Sequence, residues 1–290
     1  MSTAAVDLIE VVAVRVPERS WRSEARAVQT IWRRDLIRFL NDRKSIMAWL
    51  IQPLLFLFVL GPGLETLSAP STDGVDLTTF MFPGTVCMVL VYTAIFSAAT
   101  LVWDRELGFL REMMVAPVRR SSIIVGKCLG GATIAASQGV IVLALAGLVH
   151  VPYDPVLLLG SFGLIVLIAF TITAFGVMVA VSIKQARTFT SVVQMFVFPM
   201  VFLSGALYPV SDLPRWLAVL NRLNPLTYAV DPMRRLMFDR LDASPAARAR
   251  LAPGVTWWGW TVPPLLEVTI VLALGVALLA LALARFTRTE

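Results

Sequence analysis

Cysteine and histidine are nearly missing from this 290-residue chain, which has two of the first and one of the second. Cys87 and Cys128 fall in apolar runs, so no disulfide framework or zinc site is expected. Charge is scarce as well. Asp, Glu, Lys and Arg make up 15% of the residues, where a soluble domain has about 25%. Neither HExxH nor GxSxG occurs, and Gly126-Lys127 is no P-loop, because Ser121 stands in place of the earlier glycine and Cys128 in place of Ser or Thr. The first twenty residues carry Asp7, Glu10 and Glu18 and lack a basic start followed by an apolar run, which predicts no cleaved signal peptide.

What the chain does have is apolar surface: 58% hydrophobic residues and a mean hydropathy of +0.78. That excludes a soluble enzyme, a disordered chain and a nucleic-acid-binding protein. Crossing about 30 Å of hydrocarbon takes about 20 helical residues, and six runs qualify: Ile46–Leu64, Phe80–Val102, Cys128–Val149, Val156–Ile183, Thr188–Tyr208 and Trp257–Ala284. None alternates as a barrel strand does, so each is predicted to be a helix. The expected fold is an all-α integral membrane protein with six transmembrane helices.

Basic residues set the orientation. Nine precede residue 46, five fall within 103–127, two within 184–187 and two after 284, against seven between 210 and 256 and none in the other two loops. Short basic loops stay in the cytoplasm, which places both termini there, in the cytoplasmic membrane. The arginines of 210–256 run against that rule. Segment 212–238 reads as two short outer helices dipping into the surface, with Trp216, Leu217, Leu220 and Leu223 striping the first and its arginines at headgroup level. Residues 1–45 form a tail and an amphipathic helix, with Trp21, Ala25, Val28, Trp32, Leu36 and Phe39 at three- and four-residue intervals among arginines; it is expected on the inner leaflet.

Few residues inside the spans invite chemistry. His150 reads as an interfacial side chain, and Gly126 and Gly130 as a helix-packing site. Gln52-Pro53 and Phe198-Pro199 are candidate kinks whose freed carbonyls line a pathway or meet neighbours. Glu267 is either a functional intramembrane acid or a shallow one that reaches headgroup water or a loop arginine.

One cytoplasmic loop stands apart. Asp104-Arg105-Glu106-Leu107-Gly108-Phe109-Leu110-Arg111-Glu112-Met113-Met114, ended by Pro117 and followed by Gly126-Lys127, is predicted as a short helix over 104–117 with Leu107, Leu110, Met113 and Met114 on one face. The pattern resembles the loop between spans two and three of ABC-2 type permeases. A second block, Phe198-Pro199 to Tyr208-Pro209 with Asn224-Pro225-Leu226-Thr227-Tyr228, resembles the same family's fifth span and outer helices, particularly in the daunorubicin-resistance branch. Asp104 where Glu is frequent and Phe109 where a small residue or Thr is frequent are the departures.

The resemblance implies a permease subunit of an ATP-binding-cassette exporter, working as two permease copies, identical or not, with two separate ATPases that bind the ATP and magnesium; this chain holds no cofactor. It makes residues 46–290 the transmembrane domain. It also makes Asp104, Arg105, Glu106, Leu107, Gly108, Leu110, Met113, Met114 and Pro117 the coupling helix on the ATPase. Phe198, Pro199, Asn224, Pro225 and Tyr228, with the charged Asp231, Arg234, Arg235 and Glu267, become pathway or outer-gate candidates. The substrate expected is a drug or lipid, with a polysaccharide or lipid-linked glycan as the alternative. An ion-coupled carrier would need internal repeats and midplane charges, and a membrane enzyme a cluster of acids or histidines at one depth; neither pattern is present.

The charge pattern makes a direct prediction. In a cysteine-free background, cysteines at Asp73 and Ser244 react with an impermeant thiol reagent in intact cells, and one at Ser122 does not. Protection of position 244 would overturn the six-span order.

Overall fold

The computed structural model describes residues 21–65, 75–115, 119–210, 213–241, 243–257 and 259–289. Residues 1–20, including any element before the amphipathic helix, lie outside the described residues. Helices α1 (Trp21–Asn41) and α2 (Arg43–Leu55) are followed by a π-turn (Phe56–Leu60) and α3 (Gly61–Glu65). Pro53 cannot donate to the backbone ladder, and the helix widens into the π-turn three residues later, so the expected kink is a local change of helix pitch. Next come α4 (Leu77–Glu106), α5 (Phe109–Val115), α6 (Arg120–Leu143), a 3₁₀ turn (Ala146–Val149), α7 (Pro155–Ser182) and α8 (Ala186–Phe202). The segment after α8 holds α9 (Arg215–Leu223), α10 (Thr227–Phe238), α11 (Pro245–Leu251) and a two-residue antiparallel hairpin, β1 (Thr256–Trp257) with β2 (Trp260–Thr261), before α12 (Pro264–Thr289).

Among the described residues, five helices are long and apolar enough to cross a membrane: Ile46–Gly63, Leu77–Glu106, Arg120–Leu143, Pro155–Ser182 and Pro264–Arg288. The predicted fifth span, Thr188–Tyr208, is shorter than expected, since α8 ends at Phe202 and Gly205 turns the chain with a φ of 74°. The predicted sixth span begins late, because Trp257 and Trp260 pair in the hairpin and Pro264 opens the helix. Even so, α8 and its turn traverse the bundle. The α8 N-terminus meets Glu106, whereas Ala206 lies against Gly84. Those two points are 22 residues apart on α4, about 33 Å of helix.

Helix α4 is the central post. Nearly its whole length from Thr79 to Val102 is buried, with α6, α7, α8 and α10 packed around it. Small residues let the helices close. A Cβ on Gly131 would lie 2.6 Å from Thr173 of α7 and 3.0 Å from Ser97 of α4, and one on Gly126 would lie 2.9 Å from Ile31 of α1. The GxxxG pair therefore seats α1, and Gly130 receives Asp35.

That seat changes the reading of α1. Its buried face is Ile31 and Asp35, with Val28 packed beside them, while Trp21 is 87% exposed. The stripe read from tryptophans is offset from the face that packs, which carries acids. Glu24 on the same side accepts from the backbone N of Arg119 and from Ser122 Oγ at 2.6 Å, capping α6. Ser122 is consequently 7% exposed, so a thiol there is shielded on either side of the membrane, and Leu107, 65% exposed, is the better inner reporter. Cys87 and Cys128 are buried and not bonded to each other. His150 lies at the surface, its Nδ1 3.2 Å from Asp76.

Asp154 caps α7, accepting from Val156 N and Leu157 N at 2.8 and 3.0 Å, and pairs with Arg240 of the outer segment at 3.0 Å. The hydrogen bond from Leu157 first, then that from Val156 and the charge of Arg240, hold its carboxyl below the ordinary range. A carboxylate with a depressed native pKa stabilises the fold above its unfolded pKa of about 3.9, and the contribution fades as pH falls through the native value. Asp154→Ala is accordingly expected to lower the thermal midpoint at pH 7, and to converge with wild type below about pH 4. Equal midpoints at pH 7 would remove the cap from the account.

Candidate coupling and gating sites

The last turn of α4 ties the inner end of the bundle together with three consecutive charges. Asp104, 2% exposed, receives Lys127 Nζ of α6 at 2.6 Å and Arg34 Nη2 of α1 at 2.8 Å, with Arg38 at 3.6 Å. Lys127 also reaches Asp35 at 3.1 Å and Thr100 Oγ1 at 3.1 Å. Burial works against the charge on Arg34, but Asp35 and Asp104 more than offset it and hold its pKa above the usual arginine value.

Arg105 donates to Ala180 O and Ile183 O at 3.2 and 2.8 Å, satisfying carbonyls that the end of α7 leaves open. Glu106 accepts from Ala186 N at 2.8 Å, which puts a carboxylate on the N-terminus of α8. Three neighbours in sequence thus serve α1 and α6, then α7, then α8.

The expected single helix over 104–117 is two pieces. Asp104–Glu106 finish α4, and Gly108 breaks the chain at a φ of 82°, a left-handed conformation that suits glycine. Helix α5 then starts at Phe109. Leu110 is 1% exposed and belongs to the core, so it does not lie on an outer docking face. The exposed apolar side chains are Leu107 at 65% and Phe109 at 49%. Met113 packs inward, its Sδ 3.5 Å from Arg34 Nη1. The side chain of Met114 and the whole of Pro117 lie outside the described residues.

At the other end, α9 and α10 are bolted to the exit of α8. Asn224 Nδ2 donates to Met200 O at 2.6 Å and Asn221 Nδ2 to Leu203 O at 2.7 Å, again taking carbonyls orphaned at a helix end. Pro225 follows directly in the turn between α9 and α10. Tyr228 OH donates to Arg222 O at 2.7 Å and accepts from Trp257 Nε1 at 2.9 Å.

Two arginines expected at headgroup level are instead buried. Arg234, 2% exposed, donates to Gly205 O at 2.6 Å and lies 4.2 Å over the Phe80 ring. Arg235 pairs with Asp231 one turn back, donates to Val262 O at 2.9 Å and reaches Glu267 at 3.4 Å. Glu267, in the first turn of α12, thus meets a loop arginine, with its side chain fully buried. Phe198, 60% exposed, borders a cleft, and Pro199 sits inside α8.

Sequence reading passed over Asp35 and Lys127, the first because it lay among arginines and the second as a failed P-loop lysine. A lysine opening an apolar span was the available signal. Removing one partner from a buried ion pair costs about 3–5 kcal/mol, whereas replacing both can be neutral. Lys127→Met is expected to lower the thermal midpoint far more than the exposed Arg33→Met, and Lys127→Met with Asp104→Leu to recover much of the loss, followed by tryptophan fluorescence. A single variant no worse than Arg33→Met would show that the cluster contributes little.

The ABC-2 type transporter family matches residues 26–238. The chain is 29% identical over 201 residues to the putative transport permease ycf38 of Cyanophora paradoxa, covering 66% of this chain and 67% of that protein. It is 27% identical over 246 residues to nodulation protein J of Rhizobium leguminosarum bv. viciae, covering 83% and 92%. It is 26% identical over 164 residues to the probable multidrug ABC transporter permease YbhR of Escherichia coli K12, covering 56% and 44%. The matched region takes in the inner charge cluster, the α4–α5 break and the outer helices through α10. The chain belongs to the ABC-2 type transporter family, the membrane permease subunits of ABC transporters that work with an ABC ATPase.

Proposed function

We propose that the chain is the permease of an exporter that moves a hydrophobic or amphiphilic substrate, a drug or lipid, out across the cytoplasmic membrane. Two copies act with two ATPase subunits. The chain crosses six times, α8 making the fifth crossing, and both termini and α5 face the cytoplasm. The observation that carries this reading is the last turn of α4. It is fastened to α1, α6, α7 and α8 and continues into exposed Leu107 and Phe109. A push on that corner reaches four helices at once.

In this reading the ATPase receives Leu107 and Phe109 on either side of Gly108, with α5 as the rest of the footprint. Asp104, Arg105 and Glu106 pass the movement on. A cleft of about 440 Å³ between α2, α4 and α8 is the proposed substrate pathway, lined by Gln52, Tyr92, Gln194 and Phe198 among others. Two amides, a phenol and exposed aromatic surface suit an amphiphile. A drug-like cargo also accords with the multidrug designation of the relative YbhR.

Burying a charge in an apolar interface without a partner is costly. Phe109→Asp and Leu107→Asp are therefore expected to cut co-purification of the ATPase by about tenfold or more, the equivalent of about 1.4 kcal/mol, with the amount of permease in the membrane unchanged. Leu110→Asp is expected instead to lower that amount, because its site is the chain's own core. Normal export and co-purification by both surface variants would remove this corner as the ATPase joint.

A further inference from the structure

A second crevice, of about 180 Å³, opens between α1, α4 and α6, and two matching stripes run along it. On α4, Thr93, Ser97, Thr100 and Asp104 recur at steps of four, three and four residues, which keeps them on one face. On α6, Lys127, Gly131, Ile134 and Gln138 recur at the same steps. The stripes meet in antiparallel order. Lys127 Nζ reaches Asp104 at 2.6 Å and Thr100 Oγ1 at 3.1 Å. A Cβ on Gly131 would lie 3.0 Å from Ser97 Oγ, and Thr93 and Ile134 line the crevice together. Gln138 follows one turn beyond. Among these eight residues only Ile134 brings an apolar side chain, so the seam is polar along most of its length.

The seam is also deep. Thr93 stands near the middle of the 30-residue α4, about 16 Å from Asp104 at about 1.5 Å per residue. A hydroxyl in an apolar helix ordinarily bonds the carbonyl one turn back, as Thr85 does with Met81 O at 3.0 Å. Thr93 does not. It is 3% exposed, and its Oγ1 has no hydrogen-bond partner among the described residues. Gln138 is fully buried, and neither its Oε1 nor its Nε2 has a partner there. Orphaned polar atoms at the deep end of one seam are costly unless something in the seam pairs with them.

The choice of occupant follows from what each would satisfy. A lipid chain would leave the hydroxyl and the amide unpaired. A charged ligand would find its counter-charges already engaged: Asp35 and Asp104 are held by Lys127 and Arg34, and Asp42 at the mouth has a partner within the chain. Water meets both conditions. One molecule needs about 10–15 Å³ and roughly two to four polar partners, and the crevice has room for several, with Ser97 and Thr100 between Thr93 and the mouth.

We infer that the crevice is a water-filled vestibule, open to the cytoplasm, that reaches the middle of the bilayer and serves as the inner mouth of the transport route. Phe96 makes the connection, because it lines both this crevice and the cleft between α2, α4 and α8. The hydrogen-bonding part of a cargo molecule stays hydrated beside Ser97 and Thr93 until it passes that ring. Hydration of the crevice rests only on the cytoplasmic placement of the end of α4 proposed above; its role as a mouth rests also on the cleft being the pathway.

Deuterium modulation of a nitroxide spin echo, recorded in D₂O on the full chain in liposomes, reads water at the label directly. In a cysteine-free background, labels at Ser97→Cys and, on the opposite wall, Ile134→Cys are expected to show modulation severalfold deeper than a label at Leu129→Cys. Leu129 is 43% exposed on α6 and two residues from Gly131, at the depth of Ser97. Adding Phe96→Ala is expected to deepen the modulation at Gln194→Cys, in the cleft, and to leave Leu129→Cys unchanged. Modulation at both crevice positions no deeper than at Leu129 would overturn the vestibule. An unchanged signal at Gln194 after loss of the ring would overturn its role as the mouth. Neither readout needs the ATPase or transport, so either failure would leave the export reading standing.

Discussion

The buried carboxylate of Asp104 is the constraint from which the inner half of the molecule is arranged. A charge that is 2% exposed is tolerated only if matched by opposite charge and hydrogen bonds, and here the match comes from two other helices. Lys127 must point down from α6 and Arg34 across from α1, which fixes both helices against the end of α4. Glycine spacing on α6 makes that approach feasible, because α1 can reach the lysine only where no side chain stands between them. Charge and packing therefore specify the same contact. Arg105 and Glu106 continue the arrangement with weaker, partly exposed bonds to helix ends, where open carbonyls and amides need partners in any case.

The outer half follows a similar logic by different means. Orphan carbonyls at the end of α8 are taken up by Asn221 and Asn224, and the turn after it by Arg234. Three of the seven arginines between residues 210 and 256 have structural partners of this kind. Arg234 and Arg235 are interior structural groups, and Arg240 pairs with the cap of α7.

How much of this could be read from the sequence depends on the kind of signal. Long apolar runs pointed to helices because lipid leaves the backbone no alternative, and five of the six runs fall in helices long and apolar enough to span. The Asp-Arg-Glu loop and the Asn-Pro block were recognisable as motifs, and both sit at junctions. The packing face of α1 was misread because it includes Glu24 and Asp35, and periodicity rules look for apolar residues. Its partner lysine lay 92 residues away, a separation that no local pattern bridges. The break at Gly108 was equally hidden, since Leu107, Leu110 and Met113 keep helical spacing on both sides of it. Spacing along the chain does not reveal that a helix has ended and another begun in a new direction.

Helix α8 is held at two places. Glu106 grips its first amide, and the turn at its far end presses the backbone of Ala206 against Gly84, where even a methyl group would collide. Between those points lies the cleft bordered by Phe198. A beam pinned at both ends does not swing; it bows. Pro199, which takes one hydrogen bond out of the helix beside the cleft, marks where α8 bends most easily. The freedom of α8 to flex is therefore concentrated about its proline, between ends held by Glu106 and Gly84.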